Sequence, residues 1–271
     1  MAFYIPGARE FSLAVGAVDA SKHVLEGRIR DGESIHLVPG GIREMMLTDE
    51  KSSDTKIVLK NRMGFVRLAW ENGMDLVPVF CFGEKWTCNK VDLPKFLRKI
   101  LEKFRMAGTI LKGRWGTLLP NTYHHKQGEL SLGWVFGAPI PVAKRSCKEL
   151  NEDELKVAQE HFALLDANKD GKIDSSELKT AIRKQKAGEL KISSSISIRS
   201  LNRNLKAKHK DNLDQSEFLK WCQQEKAIRE LHERFMVETQ RLFTTYKTQF
   251  GYPDDETLTI VDPSASDFKN K

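Results

Sequence analysis

Lys60-Asn61-Arg62-Met63-Gly64-Phe65-Val66-Arg67-Leu68-Ala69, followed after Gly73 by Asp75-Leu76-Val77-Pro78-Val79-Phe80-Cys81-Phe82-Gly83-Glu84, is the stretch whose reading decides the fold class. Phe65 to Trp70 reads as a helix and Leu76 to Phe82 as an apolar strand. Working outward, Ser34 to Val38, Lys56 to Leu59 and Trp134 to Phe136 read as further strands, and Pro94 to Phe104 as a further helix. From Phe11 to about Val142, short apolar runs thus alternate with turn signals and amphipathic stretches. That alternation predicts an α/β layer.

The character changes from about Lys148 to Gln224, where the sequence is charged and helical, with a Ser-rich stretch at Ser193 to Ser200 that reads as a linker or loop. Glu225 to Phe250 then gives one more helix, with Ile228, Leu231, Phe235, Leu242, Phe243 and Tyr246 at mostly helical spacing and Gly251 and Pro253 closing it. The residues after about Asp262 read as a tail. A chain of 271 residues predicts one or two domains, and its 40% apolar content is enough to fill a core. The 4 cysteines, Cys81, Cys88, Cys147 and Cys222, form no C-x-x-C pair and no disulfide framework, so a reducing compartment is expected. Met1 to Glu10 lacks the pattern of a secretory signal. The longest uncharged run, Leu130 to Ala143, is shorter than the ~20 residues of a membrane span and holds Pro139 and Pro141. The 44 basic and 37 acidic side chains leave a net charge of +7, spread without a nucleic-acid-binding motif. A phospholipid surface is the expected anionic partner, and no nucleic acid.

The strongest local motif is Asp166-Ala-Asn168-Lys-Asp170-Gly171-Lys172-Ile173-Asp174-Ser-Ser-Glu177, which fits the EF-hand calcium loop at each diagnostic position. Asp166, Asn168 and Asp170 supply side-chain oxygens at positions 1, 3 and 5, and Lys172 supplies its carbonyl. Asp174 binds directly or through water, and Glu177 closes the site at position 12. Gly171 permits the sharp turn. Leu155, Ala158, Phe162 and Leu165 mark the entering helix, with Asn151 and Glu154 suggesting its N-cap; Leu178, Ala181 and Ile182 mark the exiting one. Downstream, Leu213-Asp-Gln-Ser-Glu217-Phe218-Leu219 has the closing half of a second loop. Counting back from Glu217 places Lys206, Lys208 and Lys210 at positions 1, 3 and 5, and three ammonium groups there repel Ca²⁺. The second loop is therefore expected to be a structural partner without metal.

Taken with Leu37-Val38-Pro39-Gly40-Gly41-Ile42-Arg43-Glu44, the opening stretch resembles the type 2 diacylglycerol acyltransferase family, which includes monoacylglycerol and wax-ester synthases. Arg9-Glu10-Phe11 through Gly16-Ala17-Val18, Gly137-Ala138-Pro139-Ile140 and Leu242-Phe243 through Phe250-Gly251 fall in the family's order. The resemblance implies a glycerolipid acyltransferase-like α/β layer with an inserted all-α EF-hand pair. Residues 1–146 would be the acyltransferase-like domain, 147–224 the EF-hand pair, 225–262 the closing helix and end of the first domain, and 263–271 the tail. It further implies that Gly40, Gly41, Arg43, Glu44, Arg62, Gly64 and Phe65 bind substrate, with acyl-CoA and an acylglycerol as partners and the cytoplasmic face of the endoplasmic reticulum membrane as the location. Physically, a Gly-Gly pair after a strand lets backbone approach a ligand, and Arg43 or Arg62 suits the phosphates of coenzyme A. Glu44 and Glu84 read either as catalytic-site carboxylates or as surface groups. The Leu93 to Arg105 pattern fits a membrane-interface helix or a surface helix on its own sheet.

Acyl transfer to an alcohol needs a base for the hydroxyl proton. The resemblance implies a His-Pro-His-Gly tetrad upstream of these blocks together with a hydrophobic membrane segment, and the sequence holds neither. His161 with Asp166 and His209 with Asp214 mimic the superfamily's His-x₄-Asp pattern but lie inside the calcium module. His36 reads as a packed strand residue, and Tyr123 to Lys126 as a polar loop. No catalytic residue is therefore assigned. The expectation is either an N-terminally incomplete acyl-CoA:diacylglycerol-type acyltransferase with Ca²⁺ as its cofactor, or a non-catalytic acyltransferase-like calcium sensor or lipid-binding protein. Oligomeric state is left open.

Overall fold

The computed structural model describes residues 8–50, 52–92, 94, 109–116, 121–124, 128–129, 132–190, 197–207 and 210–262. It divides into two compact units, one comprising Met1–Val142 with Glu233–Lys271, the other Ala143–His232.

In the first unit the elements run α1 (Ala8–Ala14), α2 (Lys22–Arg30), α3 (Gly41–Leu47), β1 (Asp54–Val58), α4 (Gly64–Asn72), β2 (Val79–Phe82), α5 (Glu84–Thr87), β3 (Asn89–Asp92), β4 (Thr109–Lys112), β5 (Tyr123–His124), β6 (Gly128–Glu129) and β7 (Gly133–Phe136). After the second unit the chain returns with β10 (Thr257–Val261). Helices and strands are mixed, as an α/β chain requires, but among the described residues the strands associate in pairs: β1 with β10 in parallel, and β2–β7, β3–β4 and β5–β6 antiparallel.

The helix expected at Phe65 to Trp70 is α4, ended by Gly73 in the left-handed region at φ 70°. The strands expected at Lys56 to Leu59 and Trp134 to Phe136 are β1 and β7. That expected from Leu76 is regular only over β2, because Pro78 interrupts it and Leu76 makes an isolated bridge to Ile140. Ser34 to Val38 forms no strand and pairs with no other strand among the described residues, and His36 is exposed with its ring 5.0 Å from Trp134 instead of packed in a core. Tyr123 and His124 pair with Gly128–Glu129 where a loop was expected. Most of the helix expected at Pro94 to Phe104 lies outside the described residues.

The core of this unit follows from the alternation of β2. Phe80 and Phe82 point one way, and Val79 and Cys81 the other. Phe82 is fully buried, its ring parallel to Phe250 at 4.6 Å and edge-on to Tyr252 at 5.8 Å; Phe243, Trp86 and Tyr252 complete the cluster. Burying such rings contributes the largest share of a core's stability per residue. The opposite face of the β2–β7 ribbon leaves Trp134 and Phe136 exposed. Strand β10 is held on β1 by side chains as well as ladder bonds, since Thr257 and Thr259 both donate to Asp54 Oδ1.

The second unit contains α6 (Glu152–Leu165), β8 (Lys172–Asp174), α7 (Ser175–Ala187), α8 (Ile198–Ala207), β9 (Asn212–Asp214) and the first part of α9 (Gln215–Tyr246). Both helix starts are reciprocally capped: Asn151 with Glu154 on α6 as expected, and Asp174 with Glu177 on α7. The core joins Phe162, Leu165, Ile173, Leu178, Ile198, Leu201, Leu213 and Phe218, all buried. Strand β8 pairs with β9, setting Ile173 against Leu213. Ser193 to Ser195 lie outside the described residues, but the end of that Ser-rich stretch is helical from Ile198, whose buried side chain together with Leu201 and Leu205 favours a helix. The helix expected from Glu225 instead begins at Gln215 and runs unbroken to Tyr246, because no Gly or Pro intervenes.

Candidate functional site

The two strands of the first unit that precede helices, β1 and β2, each end in a turn that carries charged residues. After Val58 the chain passes through Asn61, which adopts the left-handed conformation at φ 66°, to Arg62, whose N–H bonds the Leu59 carbonyl. Helix α4 then starts at Gly64 with no side-chain cap and no acidic residue in its first turn, so the positive end of its dipole meets no carboxylate from that turn. After Phe82, Gly83 at φ 82° turns the chain so that Glu84 opens α5. The carboxyl ends of strands are where α/β proteins place ligands.

Glu44 is brought to this place by the Gly-Gly pair. Gly41 takes φ 58°, which folds residue 40 back over the start of α3, and a Cβ on Gly40 would lie 2.1 Å from Glu44 Oε2. With glycine there, Glu44 Oε2 accepts the Val58 N–H at 2.8 Å. Burial raises the Glu44 pKa above its ordinary value, the Val58 bond opposes this, and the charges of Glu84 and Arg62 act on it in opposite senses. Glu84 retains surface exposure, yet the protein packed around its carboxyl also pushes its pKa upward. Glu84 in turn adds to the rise of the Cys81 thiol, carried mainly by burial to about 11. Arg62 Nε is buried with no hydrogen-bond partner among the described residues. Arg62, which leads into α4, and Glu84 therefore both act on the Glu44 carboxyl, from the ends of two different strands.

Other residues expected to bind substrate are placed differently. Arg43 is exposed on α3, and Gly64 is exposed with open space around its Cα. Phe65 is half-buried and packs edge-on to Phe235 at 5.0 Å, a core role. Sequence reasoning missed a buried polar group directly behind Glu84. There Lys85 donates to Glu256 and to the Ser52 carbonyl, Thr55 donates to Glu256 Oε1 at 2.6 Å, and the Lys85 ammonium lies 4.9 Å from the Tyr252 ring. The Tyr252 hydroxyl accepts the Gly83 N–H at 3.1 Å, which fixes the turn that presents Glu84. The only local signal was a Lys and a Glu beside apolar strands, and their pairing spans 171 residues.

In the second unit, the loop 166–177 has only oxygen donors at its six expected positions, the ligand type that suits Ca²⁺. Asp166 is buried and accepts the N–H groups of Asp170 and Gly171; Glu177 reaches back to accept those of Ala167, Asn168 and Asp174. Gly171 takes φ 80°. Each Asp166 oxygen accepts one N–H and keeps a further lone pair, as does Glu177 Oε2, while Glu177 Oε1 accepts two; the oxygen donor type suits the ion, although among the described residues no three His, Cys, Asp or Glu side chains converge on one point. His161, which with Asp166 mimics the His-x₄-Asp pattern, is buried with Nδ1 2.5 Å from the Val157 carbonyl.

Residues 1–170 match the family model "Diacylglycerol acyltransferase". The chain is 31% identical over 173 residues to Diacylglycerol O-acyltransferase 1 of Schizosaccharomyces pombe, covering 60% of this chain and 48% of that protein. It is 38% identical over 156 residues to Diacylglycerol O-acyltransferase 2 of Dictyostelium discoideum, covering 52% and 44%. Against Diacylglycerol O-acyltransferase 2-like protein 6 of Mus musculus it is 31% identical over 161 residues, covering 52% and 45%. The chain thus spans about half the length of these curated relatives, and no solved structure matches it. Because the family model covers well over half of the chain, and the Gly-Gly-x-x-Glu and Arg62-to-Glu84 blocks that build the carboxylate–guanidinium group lie inside it, the chain belongs to the diacylglycerol acyltransferase family.

Proposed function

We propose that this chain carries the acyl-CoA- and acylglycerol-binding part of an O-acyltransferase that esterifies diacylglycerol or a related alcohol. The observation that carries this reading is Arg62, whose guanidinium Nε is buried and unpartnered among the described residues, set just before the uncapped and acid-free start of α4. Together these form a cationic seat for a phosphate of coenzyme A. Glu44 and Glu84, both holding a proton more readily than an exposed carboxyl, are suited to hydrogen-bond the acceptor hydroxyl near the thioester. In the reaction the hydroxyl oxygen attacks the thioester carbonyl, the C–S bond breaks, and the coenzyme A thiol leaves. The base that takes the hydroxyl proton is assigned to no residue of this chain.

The work is placed at a membrane surface, on the cytoplasmic face of the endoplasmic reticulum. The net basic charge and the exposed Val77, Trp134 and Phe136 support contact with a membrane surface, and the endoplasmic reticulum face follows from the family resemblance alone. Among the described residues no helix is long and apolar enough to cross a membrane. Calcium is proposed as the ligand of loop 166–177, held by Asp166, Asn168, Asp170, the Lys172 carbonyl, Asp174 and Glu177. When bound, the ion supplies positive charge that orders the loop and alters the angle between α6 and α7.

Isothermal titration of the full chain with oleoyl-CoA, coenzyme A and oleate tests the substrate reading. Oleoyl-CoA and coenzyme A should bind, and Arg62→Ala should weaken both by about tenfold. Equal binding by wild type and Arg62→Ala refutes the phosphate seat, and binding of oleate alone favours a non-catalytic lipid-binding protein.

A further inference from the structure

The two loops of the second unit close in different ways. In the first, Glu177 at position 12 spans its loop by accepting the N–H groups of Ala167 and Asn168. In the second, Glu217 occupies the same position, and Asp214 caps α9 through the Glu217 N–H and the Ser216 hydroxyl much as Asp174 caps α7. Its carboxylate, however, receives the Lys210 ammonium, which sits at position 5 of that loop. The Lys210 N–H in turn bonds the Leu205 carbonyl at the end of α8. One residue therefore links the end of α8 to the start of α9, the two helices that an ion would otherwise tie together.

We propose that Lys210 is the built-in cation of the second loop, holding α8 and α9 in the ion-tied arrangement at all calcium levels, so that the module responds to one Ca²⁺ through the first loop only. The pairing of Ile173 with Leu213 carries this order to the first loop, since both side chains are buried in the same core. A loop already closed by an ammonium loses nothing when calcium falls, and its positive charge excludes a second ion at contact range. The consequence for calcium rests on the proposed role of loop 166–177; the tether itself does not.

Amide exchange of the full chain in chelator decides the tether. Lys210→Ala should speed exchange at Leu213 and Glu217 by about three- to fivefold, the scale of a partly exposed ion pair, and Lys210→Arg should restore protection. Unchanged exchange in Lys210→Ala, or no rescue by arginine, overturns the proposal. In a parallel calcium titration the wild type should take up one ion without sigmoidicity, and uptake of two ions also overturns it. If the wild type takes up none, the calcium reading of the first loop fails, and the exchange comparison still decides for or against the tether.

Discussion

Replacing Gly40 by alanine perturbs the Glu44–Arg62–Glu84 group without touching any of its charges. Residue 40 has φ −67° and ψ −41°, which alanine adopts freely, so no backbone strain is introduced. The three atoms nearest the added Cβ all belong to Glu44, at 2.1 Å for Oε2, 2.3 Å for Cδ and 2.6 Å for Cβ, all too close to tolerate. The Glu44 side chain must leave, and the Val58 N–H then loses the acceptor it now holds at 2.8 Å. An unsatisfied buried N–H costs about 1–3 kcal/mol, and overpacking costs a similar amount, so the expected loss of unfolding free energy is about 2–6 kcal/mol. Denaturant unfolding measures it, and oleoyl-CoA titration should show weakened binding at the same time. Background substitutions sharpen the test. In Glu44→Ala the 2.6 Å contact with Cβ persists, so Gly40→Ala should still cost something; in Glu44→Gly it should cost almost nothing. A Gly40→Ala variant within about 0.5 kcal/mol of wild type, the range of ordinary surface changes, refutes the reasoning, as does an equal cost in all three backgrounds.

Three further outcomes follow from other contacts. Glu44 and Glu84 hold protons more tightly in the folded chain than in the unfolded one. Over the window rising from pH 4.5 the native state therefore binds more protons, and stability falls as pH increases; Glu44→Gln with Glu84→Gln should flatten that slope in melts across about pH 4–8. Lys85→Met should destabilise by about 3–5 kcal/mol because it leaves Glu256 charged in a buried site, while Lys85→Met combined with Glu256→Leu should recover much of the loss in the same denaturation assay. On the proposed calcium role of loop 166–177, calcium should change the circular dichroism of the wild type and Glu177→Gln should abolish that change; an undiminished response in the variant would count against Glu177 as a ligand, and no response in the wild type against the calcium role itself.

What was legible in the sequence was local. The capped start of α6, the turn at Gly171 and helix α4 all follow from interactions within a few residues, and each lies where spacing and capping chemistry place it. The reading failed where partners are distant. Ser34 to Val38 has the composition of a strand, but strand formation needs a neighbour, and the chain brings none to it among the described residues. The boundary drawn at Glu225 followed a change in composition, whereas helix continuity depends on backbone hydrogen bonds that composition does not interrupt. Strand β10 went unread as a strand because its partner β1 lies about 200 residues earlier.

The same distinction separates the two halves of the candidate site. Gly40, Gly41 and Glu44 form a short-range device: a left-handed glycine, a second glycine with no room for a Cβ, and a carboxylate folded onto both. Its spacing is visible in the sequence. What gives the device an electrostatic role is long-range, because Val58 binds Glu44 from β1, Arg62 and Glu84 set its charge environment from two different strand ends, and Tyr252 fixes the turn at Gly83 from beyond the second unit. Residues 143–232 therefore interrupt the sequence between Glu84 and the Tyr252 and Glu256 that hold its turn in place. Strand β10 and the Lys85–Glu256 pair close that gap within the first unit, which makes the segment after α9 part of the site's support and not an appendage. A truncation at Phe250 should accordingly disturb Glu84 more than a substitution at an exposed position away from the turn, and loss of acyl-CoA binding in the truncated chain, set against retained binding in a surface variant such as Asp19→Ala, is the comparison that measures it.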